Sequence, residues 1–350
     1  MSDHNSKTLN TSPDPGRRML VRNAPAALAI AGLAPATLLH AAENDAREQD
    51  LIDMIVEETG LERGYVADAI GQARFDASII TRIKTPYESK TYAEYRPLFV
   101  HQQLADKGMA YIRSHDDIFR QAAAKYEVQP QIVAAILGME TRYGNYKGKD
   151  RVLDALYTLA TGYPRRAGFF RRELGQFLQL CREEKREPTS INGSYAGAFG
   201  TTQFIPSSYR DYAVDADGDG LRDVWNSPAD IINSVAHYFH RYRWDNSRPV
   251  AHWLGHVPYK PLLRTMLKDE TRKWRKLGDV RKELHLQLPD IWQDDDQVAL
   301  IQRVTDKGKR TAIVHYNFHV ITRWNRSYNY ALAITELAHM LGCPLCEVEG

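Results

Sequence analysis

The chain has 350 residues, 43% of them hydrophobic and 26% charged, which is typical of globular proteins with one large domain or two to three small ones. Residues 1–42 hold four basic and two acidic side chains, which leaves 42 charged residues of each sign in the rest of the chain. Because nucleic-acid binding usually depends on a basic surface, this balance argues against nucleic acid as the main partner.

Residues 1–42 have the layout of a cleavable export signal. A basic stretch at 16–23 precedes an apolar run at 24–39, followed by the sequence HAA. The run is too short, and too interrupted by proline and glycine, for a comfortable membrane span. Arg17-Arg18 is loosely similar to a twin-arginine signal. The alternatives to a cleavable signal are an uncleaved anchor and a wrongly assigned start of the chain. Because no cysteine lies near the cleavage point for lipid attachment, we expect an exported, periplasmic protein that is soluble after signal removal.

Apolar residues at helical spacing dominate the next part of the chain. Residues 48–83 show this spacing with a break at Gly60, and a connector rich in tyrosine and proline follows at 84–99. The helical pattern returns at 104–128. We assign residues 43–115 to a helical N-terminal domain.

A further helix is predicted to begin at Pro130, because proline is tolerated in the first turn of a helix. Helices joined by Gly-, Pro- and Ser-containing turns follow up to about Tyr242. We assign residues 116–247 and 318–342 to one helical core, whose last helix lies at 325–341.

Residues 248–317 differ in character from the helices on either side. Prolines punctuate charged segments, and two β-prone segments, VALIQRVT at 298–305 and TAIVHYNFHVI at 311–321, flank the turn DKGKR. The pattern predicts a small inserted domain of mixed or β structure. The expected fold class is therefore mainly α, and α+β overall, with residues 343–350 left as a tail.

The chain contains three cysteines, Cys181, Cys343 and Cys346. In an oxidising compartment, Cys343 and Cys346 could close a small disulfide. A redox or zinc role is less favoured, because neither a strand-then-helix context nor a second ligand pair accompanies the motif. The pattern favours a plain tail.

One carboxylate, Glu140, ends an otherwise apolar helical run. It follows Ile136 by four residues and Val133 by seven, so it adjoins their stripe on the helix. Desolvation raises the pKa of a carboxyl group, and a general acid must be protonated near neutral pH. The position therefore suits a catalytic acid, although position alone favours a helix-end glutamate paired with Arg142 or another basic group.

The segment DADGDGLRDVWN, residues 215–226, has the spacing of a 12-residue calcium loop. Its predicted ligands are Asp215, Asp217, Asp219, the carbonyl of Leu221, Asp223 and Asn226. Asparagine replaces the usual bidentate glutamate at the last position, so we expect a weak, structural site for Ca²⁺ or Na⁺. An Asp/Gly-rich turn without an ion is the alternative.

Six segments, in the family's order and spacing, resemble the lytic murein transglycosylase B family. They are GMETRYG (138–144), KGKDRVLDALYTLA (147–160), YPRRAGFF (163–170), GSYAGAFGTTQFIPSSY (193–209), VDADGDGLRDVWNSPADIINSVAHYF (214–239) and VITRWNRSYNYALAI (320–334). The similarity extends from about residue 50 to 340 and is far more specific than any single motif.

The resemblance implies a goose-lysozyme-like catalytic core with a helical N-terminal domain and an inserted β domain. It also implies cleavage of the β-1,4 bond between N-acetylmuramic acid (MurNAc) and N-acetylglucosamine (GlcNAc) in peptidoglycan, with 1,6-anhydro-MurNAc ends as the product. Glu140 is then the sole acid/base. It protonates the glycosidic oxygen and then deprotonates the muramic O6 hydroxyl, which attacks C1. We expect a monomer that binds glycan strands and needs no cofactor for its chemistry, with other cell-wall enzymes as further candidate partners.

By the same resemblance, ten further side chains belong to a sugar-binding groove. They are Ser194 and Gln203 at the cleaved bond, Arg165 and Arg166 near the peptide-bearing lactyl group, and Tyr238, Asn325, Tyr330, Tyr143, Phe204 and Trp324 along the groove. We expect Gln203 to donate to sugar oxygens, Tyr143 to share the helix of Glu140, and Phe204 to be a sugar platform. Trp324 stands where a tyrosine is expected, so any hydroxyl hydrogen bond is expected to be lost. The alternatives are that Ser194 shapes a turn, that the two arginines are solvated, and that Tyr238 is core.

Two other functions are compatible with these residues. One is a muramidase-type hydrolase on the same core, with water activated by a further group. The other is a non-catalytic peptidoglycan-binding protein, against which Glu140 and Gln203 argue because both occur with their motif neighbours.

Overall fold

The structure, a computed structural model, describes residues 36–84 and 90–348, apart from the side chains of residues 36–44. The chain divides into two compact units, Met1–Ala46 and Arg47–Gly350. Of the first unit only the beginning of one helix is described, so the predicted export signal lies largely outside the described residues. No helix in the described part of the chain is both long and apolar enough to cross a membrane.

Helices build most of the second unit. The α-helices, in chain order, are α1 (Ala36–Thr59), α2 (Arg63–Gly71), α3 (Ala77–Ile83), α4 (Tyr92–Tyr95), α5 (Gln102–Ser114), α6 (Asp116–Tyr126), α7 (Pro130–Thr141), α8 (Val152–Gly162), α9 (Ala167–Glu183), α10 (Pro206–Tyr212), α11 (Pro228–Arg241), α12 (Pro261–Asp269), α13 (Leu277–Leu284), α14 (Tyr316–Trp324) and α15 (Tyr328–Met340). The break predicted at Gly60 is confirmed, since α1 ends at Thr59 and Gly60 has a φ of 70°. The single helical pattern at 104–128 forms two helices, which meet at His115.

Helix α7 lies at the centre of the core and contacts α5, α11 and α15. Pro130 is at its start, as predicted, and every residue from Ile132 to Met139 is buried. The helix ends at Thr141 because Arg142 adopts a left-handed conformation with a φ of 52°, and its amide donates to the carbonyl of Gly138. The last turn of α7 therefore brings one charged side chain, that of Glu140, to the edge of an apolar helix.

Two antiparallel sheets complete the fold. The strands are β1 (Asp150–Arg151), β2 (Asn192–Gly193), β3 (Ala251–Trp253), β4 (Arg275–Lys276), β5 (Gln297–Thr305) and β6 (Gly308–His315). β1 pairs with β2, and the other four form one sheet in the order β3-β6-β5-β4. The prediction of a strand through residue 321 is wrong. The strand stops at His315, whose side chain accepts a hydrogen bond from the amide of Asn317 and so caps α14.

The inserted segment has an apolar core of its own. Leu263, Leu277, Trp292 and Leu300 belong to a cluster confined to residues 254–313, whereas a larger cluster extends from Leu51 to Val348. One face of the insert's sheet therefore packs on its own helices, while buried residues such as Ala299 and Val314 belong to the larger cluster. The insert therefore forms a separately packed layer beside the helical core.

The C-terminal residues are part of this packing. Cys343, Cys346 and Val348 are buried, and the amides of Val250 and Trp253 donate to the carbonyls of Leu345 and Val348. The prediction of a plain tail from residue 343 is therefore wrong. Apolar burial and backbone pairing both hold the segment against the insert.

Candidate active site

The Glu140 carboxylate is held by two donors from the segment that follows the insert. Its Oε1 atom accepts one hydrogen bond of 2.6 Å from the Tyr330 hydroxyl and one of 2.9 Å from the Trp324 indole nitrogen. Trp324 ends α14, and Tyr330 lies in the first turn of α15. Hydrogen bonds to a carboxylate are stronger than those between neutral groups, so the orientation of Glu140 is well defined. The two hydrogen bonds to Oε1 therefore come from Trp324 and Tyr330, and not from Arg142, the partner that the sequence offered as the alternative.

Trp324 supplies the hydrogen bond that the sequence suggested would be lost. The tryptophan ring packs against Phe204, Tyr238 and Phe239, with centroids 5.1, 4.7 and 6.0 Å away. Packing on three rings fixes the indole plane, so its N–H points to Glu140. An aromatic donor is thus retained at this position, with nitrogen in place of oxygen.

Phe204 and Tyr238 lie beneath Trp324 and are 2% and 4% exposed. The expectation that Phe204 is a sugar platform is therefore wrong, because a platform needs an exposed ring face. Tyr238 matches the alternative of a core residue, and burial raises the pKa of its hydroxyl. Both rings pack against Trp324 and so help to fix the orientation of its indole.

A cleft of about 350 Å³ lies beside Trp324. Gln203, Trp324 and the largely buried Phe204 and Tyr238 are among its lining residues, and Arg166, Arg323 and Arg326 bring positive charge to it. The size is in the range of small-ligand sites. Glu140 is thus hydrogen-bonded to a residue that lines a cleft large enough for a sugar ring.

The side-chain nitrogen of Gln203 donates within the protein and not to the cleft, contrary to the prediction. Its side-chain nitrogen donates to the carbonyls of Gly200, at 2.9 Å, and Lys147, at 3.3 Å. Both amide hydrogens are therefore used within the protein. The side-chain oxygen is the group left to bind a ligand, so Gln203 is an acceptor and not the expected donor.

The loop that carries Ser194 is held by backbone contacts. The Ser194 hydroxyl accepts hydrogen bonds from the amides of Ala196 and Ala198, as in a turn-shaping role. Gly148 has a φ of 89°, and a Cβ there would lie 2.0 Å from the carbonyl oxygen of Gly193. Only glycine permits this close approach of two backbone segments, which places the Ser194 loop beside the segment between α7 and β1.

Tyr143 does not share a helix face with Glu140, so that expectation is wrong. It follows the end of α7 in the left-handed conformation, with a φ of 60°. Its ring stacks on Tyr111 with a centroid distance of 5.3 Å, and its hydroxyl donates to the carbonyl of Leu104. The change of backbone direction at Arg142 turns the side chain towards α5 and away from the cleft.

The two arginines of the YPRR motif have different surroundings. Both are exposed on a short 3₁₀ turn, Pro164–Arg166. The Arg166 guanidinium lies 4.1 Å from the Phe169 ring centroid and lines the cleft, whereas Arg165 does not line it. Stacking on an aromatic ring orients the Arg166 side chain.

A larger cavity, of about 820 Å³, adjoins the cleft and shares Arg166 and Arg326 with it. Asn325 lines this cavity rather than the smaller cleft, and its side-chain oxygen accepts a hydrogen bond from the amide of Ser327. The insert contributes Gln302, Arg303 and Val304. Of the described residues that line the cavity, four are basic and none is acidic; the basic ones are Lys90, Arg166, Arg303 and Arg326.

Three of the predicted metal ligands converge in the acidic loop. Carboxylate oxygens of Asp215, Asp217 and Asp219 lie within 4.8 Å of one another. The Asp223 carboxylate instead accepts hydrogen bonds from the amide and the side chain of Asn226. The structure thus brings together three of the six predicted ligands, and Leu221, Asp223 and Asn226 stay predictions.

The sequence matches a known family over most of its length. Residues 43–339 match the transglycosylase SLT domain. The chain belongs to this transglycosylase SLT domain family. The mainly helical structure with small sheets, together with this membership, confirms the predicted fold class and the predicted family resemblance.

The chain is similar to lytic transglycosylases of Escherichia coli and Pseudomonas aeruginosa. Membrane-bound lytic murein transglycosylase B of Escherichia coli K12 is 34% identical over 305 residues, which cover 84% of this chain and 82% of the relative. The solved structure of soluble lytic transglycosylase SltB1 of Pseudomonas aeruginosa is 35% identical, with a TM-score of 0.75 over 85% of this chain and 98% of its own. Escherichia coli Slt35 is 32% identical, with a TM-score of 0.75 over 84% and 92% of the two chains, and has been solved with bulgecin A and with calcium.

Sequence reasoning missed two groups of residues around the transglycosylase site. Asp230 is fully buried and accepts hydrogen bonds from the amides of Ala216 and Asp223, which joins the two ends of the acidic loop. The N-cap pattern of Ser227 followed by Asp230 at the start of α11 was a usable signal for it. Arg303 and Arg326 lie in the insert and after α14, and no local pattern connects them with Glu140.

Proposed function

We propose that this protein is a peptidoglycan lytic transglycosylase that cleaves the MurNAc-β-1,4-GlcNAc bond and leaves 1,6-anhydro-MurNAc ends, with Glu140 as the single acid/base. One observation carries the proposal: Glu140 is held by the Tyr330 hydroxyl and by the indole of Trp324, and Trp324 lines a sugar-sized cleft. Membership of the transglycosylase SLT domain family and likeness to lytic murein transglycosylases support the same reaction.

In the first step, the protonated Glu140 carboxyl gives its proton to the glycosidic oxygen. The bond from C1 of MurNAc to that oxygen breaks, and GlcNAc leaves as an alcohol. The positive charge at C1 is stabilised by the acetamido group of the same sugar.

In the second step, the Glu140 carboxylate takes the proton of the O6 hydroxyl, and O6 bonds to C1 within the same sugar. The carboxyl group is regenerated and no water is consumed. Tyr330 and Trp324 are neutral donors, so each keeps its hydrogen bond to Oε1 while the carboxyl group loses and regains its proton. The site thus needs little rearrangement between the two steps.

The reaction is tested by mass spectrometry of the products released from purified sacculi. Anhydro ends are one water lighter than reducing ends, and we expect anhydro ends. Reducing ends would favour a hydrolase on the same core. No release of muropeptides would favour a non-catalytic binding protein.

Gln203, Trp324 and Arg166 are the proposed sugar contacts in the cleft. The Gln203 oxygen can accept from a sugar hydroxyl or from an acetamido N–H, because its nitrogen is used by the protein. Arg166 can bind the lactyl or peptide carboxylates, since a guanidinium forms strong hydrogen bonds to anions. Ser194 supports the cleft by shaping its own loop.

The larger cavity is the proposed binding site for the stem peptide, which carries several carboxylates. Four basic side chains line it, and it joins the cleft through Arg166 and Arg326. Arg303 is oriented there by stacking on Tyr328, at 4.6 Å, and by an ion pair of 3.4 Å with Glu270. The insert therefore contributes to peptide recognition rather than to the chemistry at Glu140.

Arg303→Ala is expected to lower kcat/KM on peptide-bearing glycan about tenfold, which corresponds to about 1.4 kcal/mol. The loss follows from the removal of one guanidinium from a basic cavity. Turnover of glycan stripped of peptides by an amidase should not change. Lys309→Ala, on the same hairpin but outside the cavity, is the matched control. Equal loss on both substrates would contradict the assignment to the peptide.

The acidic loop is the proposed site of one structural Ca²⁺, or of Na⁺. Ca²⁺ binds carboxylate oxygens at 2.3–2.6 Å, and a cluster of three carboxylates with oxygens within 4.8 Å of one another is compatible with that. Asp215, Asp217 and Asp219 would hold the ion, which would offset their mutual repulsion. The calcium complex of Slt35 supports the same assignment.

Calcium is expected to raise the Tm of the protein by several degrees. An ion at about 100 times its Kd stabilises the folded state by about 2.7 kcal/mol. The increase should disappear in Asp217→Asn, which removes one of the three charges, and should persist in Asp211→Asn, whose exposed carboxylate lies outside the loop. A calcium titration followed by thermal unfolding measures this. An unchanged Tm in the unmodified protein would contradict the site.

The sequence also predicts the location of the protein, its oligomeric state and its partners. We propose a periplasmic location, because the substrate lies there and residues 1–42 have the layout of an export signal. A monomeric state, and contacts with other cell-wall enzymes, stay predictions.

A further inference from the structure

A pair of cysteines lies in the turn that follows α15. Cys343 precedes the 3₁₀ turn Pro344–Cys346 and Cys346 is its last residue, and the two residues are 1% and 0% exposed. Their Sγ atoms are 2.7 Å apart. A disulfide bond has a length of about 2.05 Å, so only a small movement of the two side chains is needed to form one.

We propose that Cys343 and Cys346 form a disulfide that fixes the C-terminal segment as a clasp between α15 and the insert. The clasp comprises residues 343–348. Its first residue follows the end of α15, and its carbonyls at Leu345 and Val348 accept from the amides of Val250, at 3.3 Å, and Trp253, at 2.8 Å.

The clasp covers an outer strand of the insert's sheet. In the order β3-β6-β5-β4, β3 has a neighbouring strand on one side. An uncovered strand edge offers unpaired amides to other chains. The clasp occupies this edge. A disulfide between Cys343 and Cys346 would fix the turn between them, from which the Leu345 carbonyl accepts the hydrogen bond of the Val250 amide.

The surroundings argue against two other uses of the cysteines. A redox-active pair needs a partly exposed thiol, commonly at the start of a helix, whereas both sulfurs here are buried and follow the end of α15. A zinc site needs further ligands. Among the described residues, the one cluster of potential metal ligands is that of the acidic loop.

The cross-link forms while the chain folds, before the two thiols are buried, by exchange with an external disulfide such as oxidised glutathione or a protein disulfide donor. The Cys343 thiolate attacks one sulfur of the donor and releases a thiolate. Cys346 then loses its proton, attacks Cys343 Sγ in the mixed disulfide and releases the second thiolate. The donor is reduced to two thiols, and the two cysteines are oxidised.

Counting thiols in the full chain tests the bond. The protein is refolded in a mixture of reduced and oxidised glutathione, denatured without reductant, alkylated and weighed by mass spectrometry. We expect one alkylated cysteine, Cys181, before reduction and three after it. Three alkylated cysteines before reduction, or a disulfide-linked dimer, would overturn the proposal.

Hydrogen exchange tests the clasp itself. In the oxidised protein the amides of Val250 and Trp253 should be protected, and reduction should speed their exchange and lower the Tm by several degrees. Cys181→Ser should respond to reductant as the unmodified protein does, and the Cys343→Ser/Cys346→Ser double variant should not respond. If reduction leaves both exchange and Tm unchanged in the unmodified protein, the bond does not act as a clasp. Neither outcome affects the assignment of Glu140, because these cysteines lie outside the cleft.

Discussion

Glu140→Gln is expected to lower the turnover of peptidoglycan by about 10²–10⁴-fold, the range in which general acid–base groups contribute. Glutamine cannot deliver a proton to the glycosidic oxygen or take one from O6. Its carbonyl oxygen can still accept from Tyr330 and Trp324, so the fold and the Tm should be kept. The measurement is the rate of release of anhydro-muropeptides from purified sacculi.

The two donors to Glu140 provide graded variants for the same assay. Tyr330→Phe and Trp324→Phe each remove one hydrogen bond to Oε1 while keeping an aromatic ring, and each should lower turnover less than Glu140→Gln. Tyr212→Phe is the matched control, because its hydroxyl contacts Tyr242 instead. Normal turnover by Glu140→Gln would remove the basis of the proposed mechanism.

Glu336→Gln is expected to lower the free energy of unfolding by about 3 kcal/mol, because a buried carboxylate loses the charge that strengthens its three hydrogen bonds and its ion pair with the half-exposed Arg96. The Glu336 carboxylate is 5% exposed and accepts hydrogen bonds from Tyr92, Arg96 and Trp253. One carboxylate on α15 therefore joins the segment before α5, the core and the insert. A glutamine in its place leaves Arg96 without its counter-charge. Thermal unfolding should show a Tm lower by about 5 °C.

Glu347→Gln is the control for this loss of charge. Glu347 is an exposed glutamate in the C-terminal segment, and its substitution should leave the Tm within about 1 °C. A similar Tm for the Glu336→Gln variant and the unmodified protein would show that the carboxylate does not stabilise the junction.

Local patterns predicted the elements that depend on local physics. The helices α7 and α15 and the hairpin strand β5 follow from apolar periodicity, proline at the first turn and capping residues. The β-prone residues at 311–321 wrongly predicted a continuous strand, because such residues also suit a buried helix. His315 caps α14, so the chain is a strand before this residue and a helix after it.

The roles of the aromatic residues were the least accurate predictions. Tyr143 follows Glu140 by three residues, which indicates a shared face only if the helix continues past Arg142. Phe204 precedes α10 in a glycine-rich loop, where exposure was a reasonable expectation, yet its ring lies beneath Trp324. In both cases one backbone turn or one neighbouring ring reverses the direction of the side chain.

The sequence alone determined which residue types are present: one acid at the end of an apolar helix, an Asp/Gly loop, and a set of motifs specific to one family. Tertiary structure decided what each of them contacts. The partners of Glu140 lie almost 200 residues away in sequence, where α14 and α15 return to α7 after the insert. Contacts at such separation depend on the packing of whole helices, and no short pattern encodes that packing.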